Sequence, residues 1–250
     1  MAISVNAVYR TVLSIMNKEG RGYLTPDQFN KIGAQVQLDL LEKSFFDYNR
    51  AMNRKKSFVV NDEYGDLPRN IKEKIDILSK EATLSISNGS STLPIDLYRI
   101  INITSGSRTI NLQEVKKSEL SYINASKLTK PSLDYPVYYL ESLSANTSNQ
   151  ETASSSTINT NIKFLPTTLT SAQIDYVKIP QEPKWGFTRT DNNAYNYQAS
   201  SAYDFELHKS EQVNLVIKIL AHAGVIVKDP TLIQMAGNEE NKKIQLEITR

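Results

Sequence analysis

The chain has 250 residues, a formal charge of +2 and no cysteine. That length is enough for one large domain, or two of ordinary size, with proper cores, and the missing cysteine excludes disulfide frameworks, thiolate zinc sites, iron–sulfur clusters and cysteine nucleophiles. A near-neutral balance supplies no net field toward nucleic acid or an acidic membrane, which leaves recognition by shape.

The opening MAISVNAVYRTVLSIMNKEG has neither a basic n-region nor a small-residue cleavage site, so the expectation is a cytosol-like compartment. No apolar run approaches the ~20 residues that span a bilayer. Ser4 is placed to cap a first helix, whose Val5, Val8, Val12, Ile15 and Met16 recur three to four apart. Tyr9 and Leu13 widen that stripe, and Gly20 and Gly22 stop it. The next stretch, GYLTPDQFNKIG, starts a second helix with unusual thoroughness. Thr25 is an N-cap, Pro26 takes the first helical position, and Gln28 completes a capping box. Leu24 and Phe29 bracket it as a hydrophobic staple. Such devices together contribute ~1–2 kcal/mol, but they fix the angle between consecutive elements. The second helix is expected from Pro26 to about Tyr48, through Phe29, Ile32, Val36, Leu40, Leu41, Phe45 and Phe46, as the other arm of an antiparallel hairpin.

The basic run NRAMNRKK (Asn49 to Lys56) lacks interleaved aromatic residues and reads as a solvated helix end whose cations offset the dipole, ahead of a phosphate-contacting patch. NDEYGD (Asn61 to Asp66) lacks the alternating ligands and distal Glu of a calcium loop, so it reads as a polar turn. LPRNIKEKIDILSKEA offers Ile71, Ile75 and Leu78 on one face of a short helix, expected to cap the sheet that follows.

From Thr83 the period changes to two: Leu84 and Ile86 alternate, Asn88-Gly89 turns, and a β-branched run resumes through Ile100, Ile101 and Ile103. NLQEVKKSELSYINAS reads as a helical insertion. YPVYYLE, NIKFLP and AQIDYVKIP read as further strands, the last two ended by proline. Strands that cluster, instead of alternating with long helices, point to an antiparallel sandwich or barrel-like domain. Residues 142–160, SLSANTSNQETASSSTINT, are expected to form a mobile loop because they offer little apolar surface to bury. In EPKWGFTRTDNNAYNYQASS, Trp185, Phe187, Tyr195 and Tyr197 lie on an irregular stretch; they are either a binding surface, a cover for an open end of the β domain or a brace for the loop. After AYDFELH, Ser210 is placed to cap a helix bearing Val213, Val216, Ile217 and Leu220 that Gly224 ends. VIVKD leads to Asp229-Pro230 and a last helix through Leu232, Ile233, Met235 and Ala236. The expected class is therefore α+β: an N-terminal helical region (1–80), a β domain (81–207) and C-terminal helices (208–250) packing back on the first.

Catalytic equipment is sparse. Neither His208 nor His222 has an acidic partner at metal-ligand spacing, and no G-x-S-x-G, H-E-x-x-H, S-x-x-K, G-x-G-x-x-G or P-loop pattern occurs. No catalytic, cofactor-binding or metal residues are assigned. Four N-x-S/T sequons, at Asn88, Asn102, Asn124 and Asn146, fit chance in a chain rich in Asn, Ser and Thr.

Four stretches carry a resemblance: VNAVYRTVLSIMNKEGRGYLTPDQFNKIGAQVQLDLLEKSF, LPIDLYRI, IKFLPTTLTSAQIDYVKIPQEPKWGF and YDFELHKSEQVNLVIKILAHAGVIVKDPTLIQMA. They resemble virion structural proteins of tailed phages, especially crAss-like and related phages of Bacteroidetes. Within that group the chain is similar to the neck or ring proteins beneath the portal, and more distantly to the tail tubular adaptors of short-tailed phages. The best marker is Leu93-Pro94-x-Asp96-Leu97-Tyr98-Arg99, followed at a distance by a proline-ended strand that leads into DYVKIP. The resemblance implies a head–tail connector subunit of the virion, assembled in the host bacterial cytoplasm as a homo-oligomeric ring of about twelve copies around the DNA channel. Its implied partners are the portal protein and adjacent neck or tail rings, with sequence-independent DNA contact in the lumen and no membrane. The alternatives are a β-domain binding protein of a bacterial host and a carboxylate-dependent enzyme.

Overall fold

The structure is a computed structural model that describes residues 2–18, 24–53, 67–141, 161–190 and 194–227, together with 234 and 238. The chain is α+β and divides into two compact units, residues 1–77 with 180–250, and residues 78–179. The expected loop 142–160, NDEYGD, the stop at Gly20 and Gly22 and the last helix beyond Asp229 lie outside the described residues.

In the first unit, α1 (Val5–Lys18) buries Val5, Val8, Tyr9, Val12 and Met16, while Ile15 stays largely exposed. Its start is held twice: Ala7 N–H donates to Ser4 Oγ, and Val5 N–H donates to Asp204 Oδ1. The helix α2 (Pro26–Asn53) starts with the capping box read from the sequence. Thr25 N–H donates to Gln28 Oε1 at 3.1 Å and Gln28 N–H to Thr25 Oγ1 at 3.4 Å. Leu24 and Phe29 are both fully buried in one cluster with the α1 stripe. Instead of ending near Tyr48, α2 continues to Asn53, taking in the first residues of the basic run, and Phe46 faces solvent. Gly33 sits mid-helix because a Cβ there would come within 3.3 Å of the Phe205 ring.

The short helix α3 (Leu67–Asp76) packs on α2 through Ile71 and Ile75 and belongs to the helical unit; it ends before Leu78, which was read on its apolar face and instead opens the β unit. A later helix, Gln212–Val227, buries Leu215, Ile219, Leu220 and Ala223 and packs against both α1 and α2. The simple two-helix hairpin is therefore replaced by a three-way arrangement, in which α1 and α2 meet through large side chains such as Tyr9 and Phe29, with ring centroids 4.8 Å apart. That helix runs past Gly224 to Val227, and His208, not Ser210, starts the 3-10 turn (Lys209–Glu211) that leads into it. The His208 side chain accepts from Ser210 N–H.

The second unit contains two sheets. Strands Ser79–Ser85 (β1), Ser90–Thr92 (β2), Leu97–Ser105 (β3), Gln113–Glu114 (β4), Val137–Glu141 (β5), Asn161–Leu165 (β6) and Ser171–Lys178 (β7) arrange as β1-β7-β3 and β2-β6-β5-β4. Pairings are antiparallel except β4 with β5, which is parallel, and no barrel closes among the described residues. Both sheets send side chains into one core: Leu84, Ile103 and Ile174 from the first, Tyr138, Ile162 and Phe164 from the second. The Asn88-Gly89 turn forms as read, with φ of 51° and 70° and reciprocal Ser87 and Ser90 hydrogen bonds. That bridge is as far as the hairpin goes, because β1 continues onto β7 and β2 onto β6, so the turn hands the chain from one sheet to the other. NLQEVKKSELSYINAS begins as strand β4 and becomes helical only in a 3-10 turn (Lys117–Glu119) and the six-residue α4 (Leu120–Ala125). The unit's two ends are joined, since Lys178 N–H donates to Leu78 O at 2.9 Å.

Residues 180–207, grouped with the β domain on sequence, belong to the helical unit. They form a small hairpin of Phe187–Arg189 (β8) with Tyr195–Tyr197 (β9) and two isolated bridges, Lys184 with Tyr203 and Ile3 with Phe205. The helix Gln212–Val227 follows as α5.

Candidate functional site

What holds residues 180–207 in place is a set of amide side chains from the helices. Trp185 N–H donates to Asn30 Oδ1 at 2.7 Å, and Asn30 Nδ2 donates back to Trp185 O at 3.4 Å. Gln37, buried in α2, donates Nε2–H to Gln181 O at 2.8 Å and accepts from Glu206 N–H at 3.1 Å. An extended segment beside helices has no ladder to satisfy its peptide groups, so Asn30 and Gln37 take the place of a neighbouring strand. Trp185 is buried, its Nε1–H donates to Asn6 Oδ1 at 3.1 Å, and its ring lies 4.5 Å from Tyr9, 5.5 Å from Tyr197 and 6.1 Å from Phe187. The aromatic residues thus brace this segment on the helical unit.

A second buried polar cluster joins α2, α3 and the start of α5. Glu211 is buried, takes Lys74 Nζ at 2.5 Å on one oxygen and Asn214 Nδ2 at 2.7 Å on the other. Burial pushes the Glu211 carboxyl up, but the Lys74 and Asn214 hydrogen bonds and the nearby Lys74 and Lys43 charges outweigh it, so its pKa lies below the usual carboxylate value. The adjoining pocket, lined by Ser44, Asp47 and Ile71 among others, is only about 20 Å³, room for a single water and no substrate. A wider hollow of about 660 Å³ lies between α2 (Asp27, Asn30, Lys31) and Glu182, Lys184 and Tyr203, with two acids and two lysines in its lining.

In the β unit the Leu93–Arg99 marker acquires a structural explanation. Asp96 takes Lys80 Nζ on one oxygen at 2.8 Å and Tyr176 O–H on the other at 2.9 Å, and its carbonyl accepts from Ile179 N–H. It therefore ties the start of β3 to β1 and β7. The Lys80 hydrogen bond leads in holding the Asp96 carboxyl below its usual range, against burial, while burial and then Asp96 push the Tyr176 phenol up to about 12. Tyr138 is likewise pushed up to about 12, by burial and then Glu114. Arg108 bonds Glu81 and Gln173 on the outer face of the first sheet, and Glu141 pairs with Lys163 at 2.9 Å and Lys117 at 3.3 Å on the second. Glu141 and Lys163 pair across the neighbouring strands β5 and β6, an arrangement that supports their register, while Arg108 and Lys117 reach the strands from adjoining turns.

The remaining exposed chemistry is apolar. Between Val115 and Pro136, both buried, residues 116–135 contain no buried residue, yet present Tyr122, Leu128, Leu133 and Tyr135 to solvent. On the helical unit Leu38, Phe46 and Met52 are exposed along α2. Neither surface was identified as such from the sequence; the only signal was the reading of 111–126 as an insertion.

His208 serves as a cap, His222 is exposed on α5, and among the described residues no group of three or more His, Asp or Glu could hold a metal ion. No helix among them is long and apolar enough to cross a membrane. No protein family matches the chain, and neither does any curated protein.

Proposed function

We propose that the chain is a structural subunit of a phage head–tail connector, a neck or tail ring that oligomerises below the portal, forms part of the DNA channel and performs no bond-making chemistry. The observation that carries the reading is the set of uncovered apolar side chains, Tyr122, Leu128, Leu133 and Tyr135 on the β unit and Leu38, Phe46 and Met52 on α2. Exposed apolar patches of this kind mark protein contacts. Two further features support it. The charged clusters centred on Glu211, Asp96 and Glu141 tie neighbouring elements together, which suits a subunit whose shape must repeat identically around a ring. The likeness of LPIDLYRI, DYVKIP and the flanking stretches to crAss-like neck proteins supplies the virion setting.

The test is the mass of the purified protein by native mass spectrometry and light scattering, alone and mixed with the portal protein of the same phage. A closed oligomer, formed alone or on the portal, supports the proposal. A monomer that stays monomeric and ignores the portal overturns it.

A further inference from the structure

We infer that Asn88 is the chain's site of spontaneous deamidation, and that the folded Asn88-Gly89 turn holds the reaction off until the turn opens.

The chemistry needs only this chain and water. Asparagine is a heat-labile residue because the backbone nitrogen of the next residue can attack its side-chain amide. Gly89 N gives up its proton to solvent and bonds to Asn88 Cγ, ammonia leaves, and a five-membered imide remains. Water then opens the imide at Cγ to give aspartate, or at the backbone carbonyl to give isoaspartate, whose main chain runs through Cβ and Cγ. A Cβ on the attacking residue hinders the approach, so the sequence Asn-Gly reacts most readily. This chain contains one such dipeptide, and every other asparagine is followed by a residue that has a Cβ. Asn88 is also exposed, open to the water that completes the reaction.

The turn requires the same two residue types that make the dipeptide reactive. With φ of 51° at Asn88 and 70° at Gly89 it is a type I′ turn, a conformation that Asn and Gly enter at least cost. In such a turn ψ of the first central residue is roughly +30°. The imide ring closes only at strongly negative ψ, where Gly89 N eclipses Cβ about the Asn88 Cα–C bond. In the folded chain the nitrogen is therefore turned away from Cγ. Bringing it round means rotating the Asn88-Gly89 peptide, and three hydrogen bonds oppose that. Ser87 N–H to Ser90 O and Ser90 N–H to Ser87 O are each 2.9 Å, and Phe164 N–H to Gly89 O is 2.8 Å. Gly89 is packed as well, since even a Cβ there would lie 2.9 Å from Thr167 Cγ2. The Gly89 N–H itself has no acceptor among the described residues, so orientation withholds the nucleophile, and no bond does. Isoaspartate adds one main-chain carbon between Ser87 and Ser90, which a two-residue turn cannot absorb. Conversion thus undoes the Ser87–Ser90 bridge at the point where the chain passes from one sheet to the other.

The test holds the full-length protein in mildly alkaline buffer below its melting temperature, with and without denaturing guanidinium chloride. Conversion at each asparagine is followed by peptide mass spectrometry, and isoaspartate by enzymatic methylation. In denaturant Asn88 should convert ahead of every other asparagine. In buffer its conversion should be at least about tenfold slower, which corresponds to an opening free energy of about 1.4 kcal/mol or more. Gly89→Ala in denaturant, where its effect on folding is immaterial, should remove the lead of Asn88 over the other asparagines. A different asparagine leading in the unfolded wild type overturns the assignment of the site. Equal rates in folded and unfolded protein overturn the protection by the turn. An undiminished lead in Gly89→Ala shows that the backbone nitrogen is not the nucleophile and overturns the mechanism.

Discussion

Gln37 is 1% exposed in the middle of α2, and its amide satisfies the carbonyl of Gln181 and the N–H of Glu206 at once. Replacing it by the similarly sized Leu strands both peptide groups. Gln37→Leu should therefore lose roughly 1–3 kcal/mol of unfolding free energy in urea, despite being the more apolar residue; an unchanged or higher stability would show that water takes over both bonds. Glu211 makes the corresponding ionic link. Its pKa in the folded chain lies below the usual 4.5 because Lys74, Asn214 and Lys43 outweigh burial. Its contribution is thus present above the ordinary carboxylate range and disappears as pH falls through the folded value. Followed from about pH 7 to about pH 3, stability should fall less steeply in Glu211→Gln than in the wild type. Parallel slopes would place the acid sensitivity elsewhere. None of these roles was legible in the sequence: a Gln or Glu in a helix has no local mark that distinguishes a surface position from a bridge to residues 137 to 169 places away.

Caps and turns, by contrast, were readable, because their partners lie within three residues. The Thr25 capping box is present with both of its bonds, and Thr25→Ala should lower stability by about 1 kcal/mol, measurable as a drop in melting temperature. The Asn88-Gly89 turn is equally local. At Gly89 φ is +70°, and a Cβ would lie 2.9 Å from Thr167 Cγ2 and 3.0 Å from Phe164 O. Gly89→Ala should therefore cost about 1 kcal/mol or more, through both backbone strain and the clash with β6 and the residues after it; a neutral outcome in urea unfolding would contradict the turn geometry. Element ends were less well read where a distant contact competes with the local signal. The helix α2 outruns Tyr48, whose C-terminal signal is weak, with Ala51 still buried. In α5 Gly224 is buried and helical, so it does not act as a stop.

At the scale of the molecule, the β unit is an insertion: the chain leaves the helices at Ile77, returns at Pro180, and the two ends of the insert are hydrogen-bonded across β1 and β7. Its core draws on both of its sheets, with every described member of the cluster inside 78–179. A fragment spanning 78–179 should accordingly fold alone and melt cooperatively by calorimetry and circular dichroism, as compact units with their own core do. A fragment without a cooperative transition would mean that the helical unit is needed to complete it.

The sequence by itself determined what depends on near neighbours: the α+β class, the caps of α1 and α2, the turn at Asn88-Gly89 and the strands ending at Pro166 and Pro180, whereas the switch from helix to strand, read at Thr83, comes at Ser79. Only the tertiary structure decided which elements belong together. The segment with Trp185 and Phe205 was grouped with the β domain because it follows the strands in the chain, but it is held by Asn6, Asn30 and Gln37 and buried against Tyr9 and Phe29. The physical reason is that periodicity and capping are set within a turn or two of backbone, whereas the burial of an aromatic ring and the satisfaction of a peptide group depend on whatever the fold brings alongside.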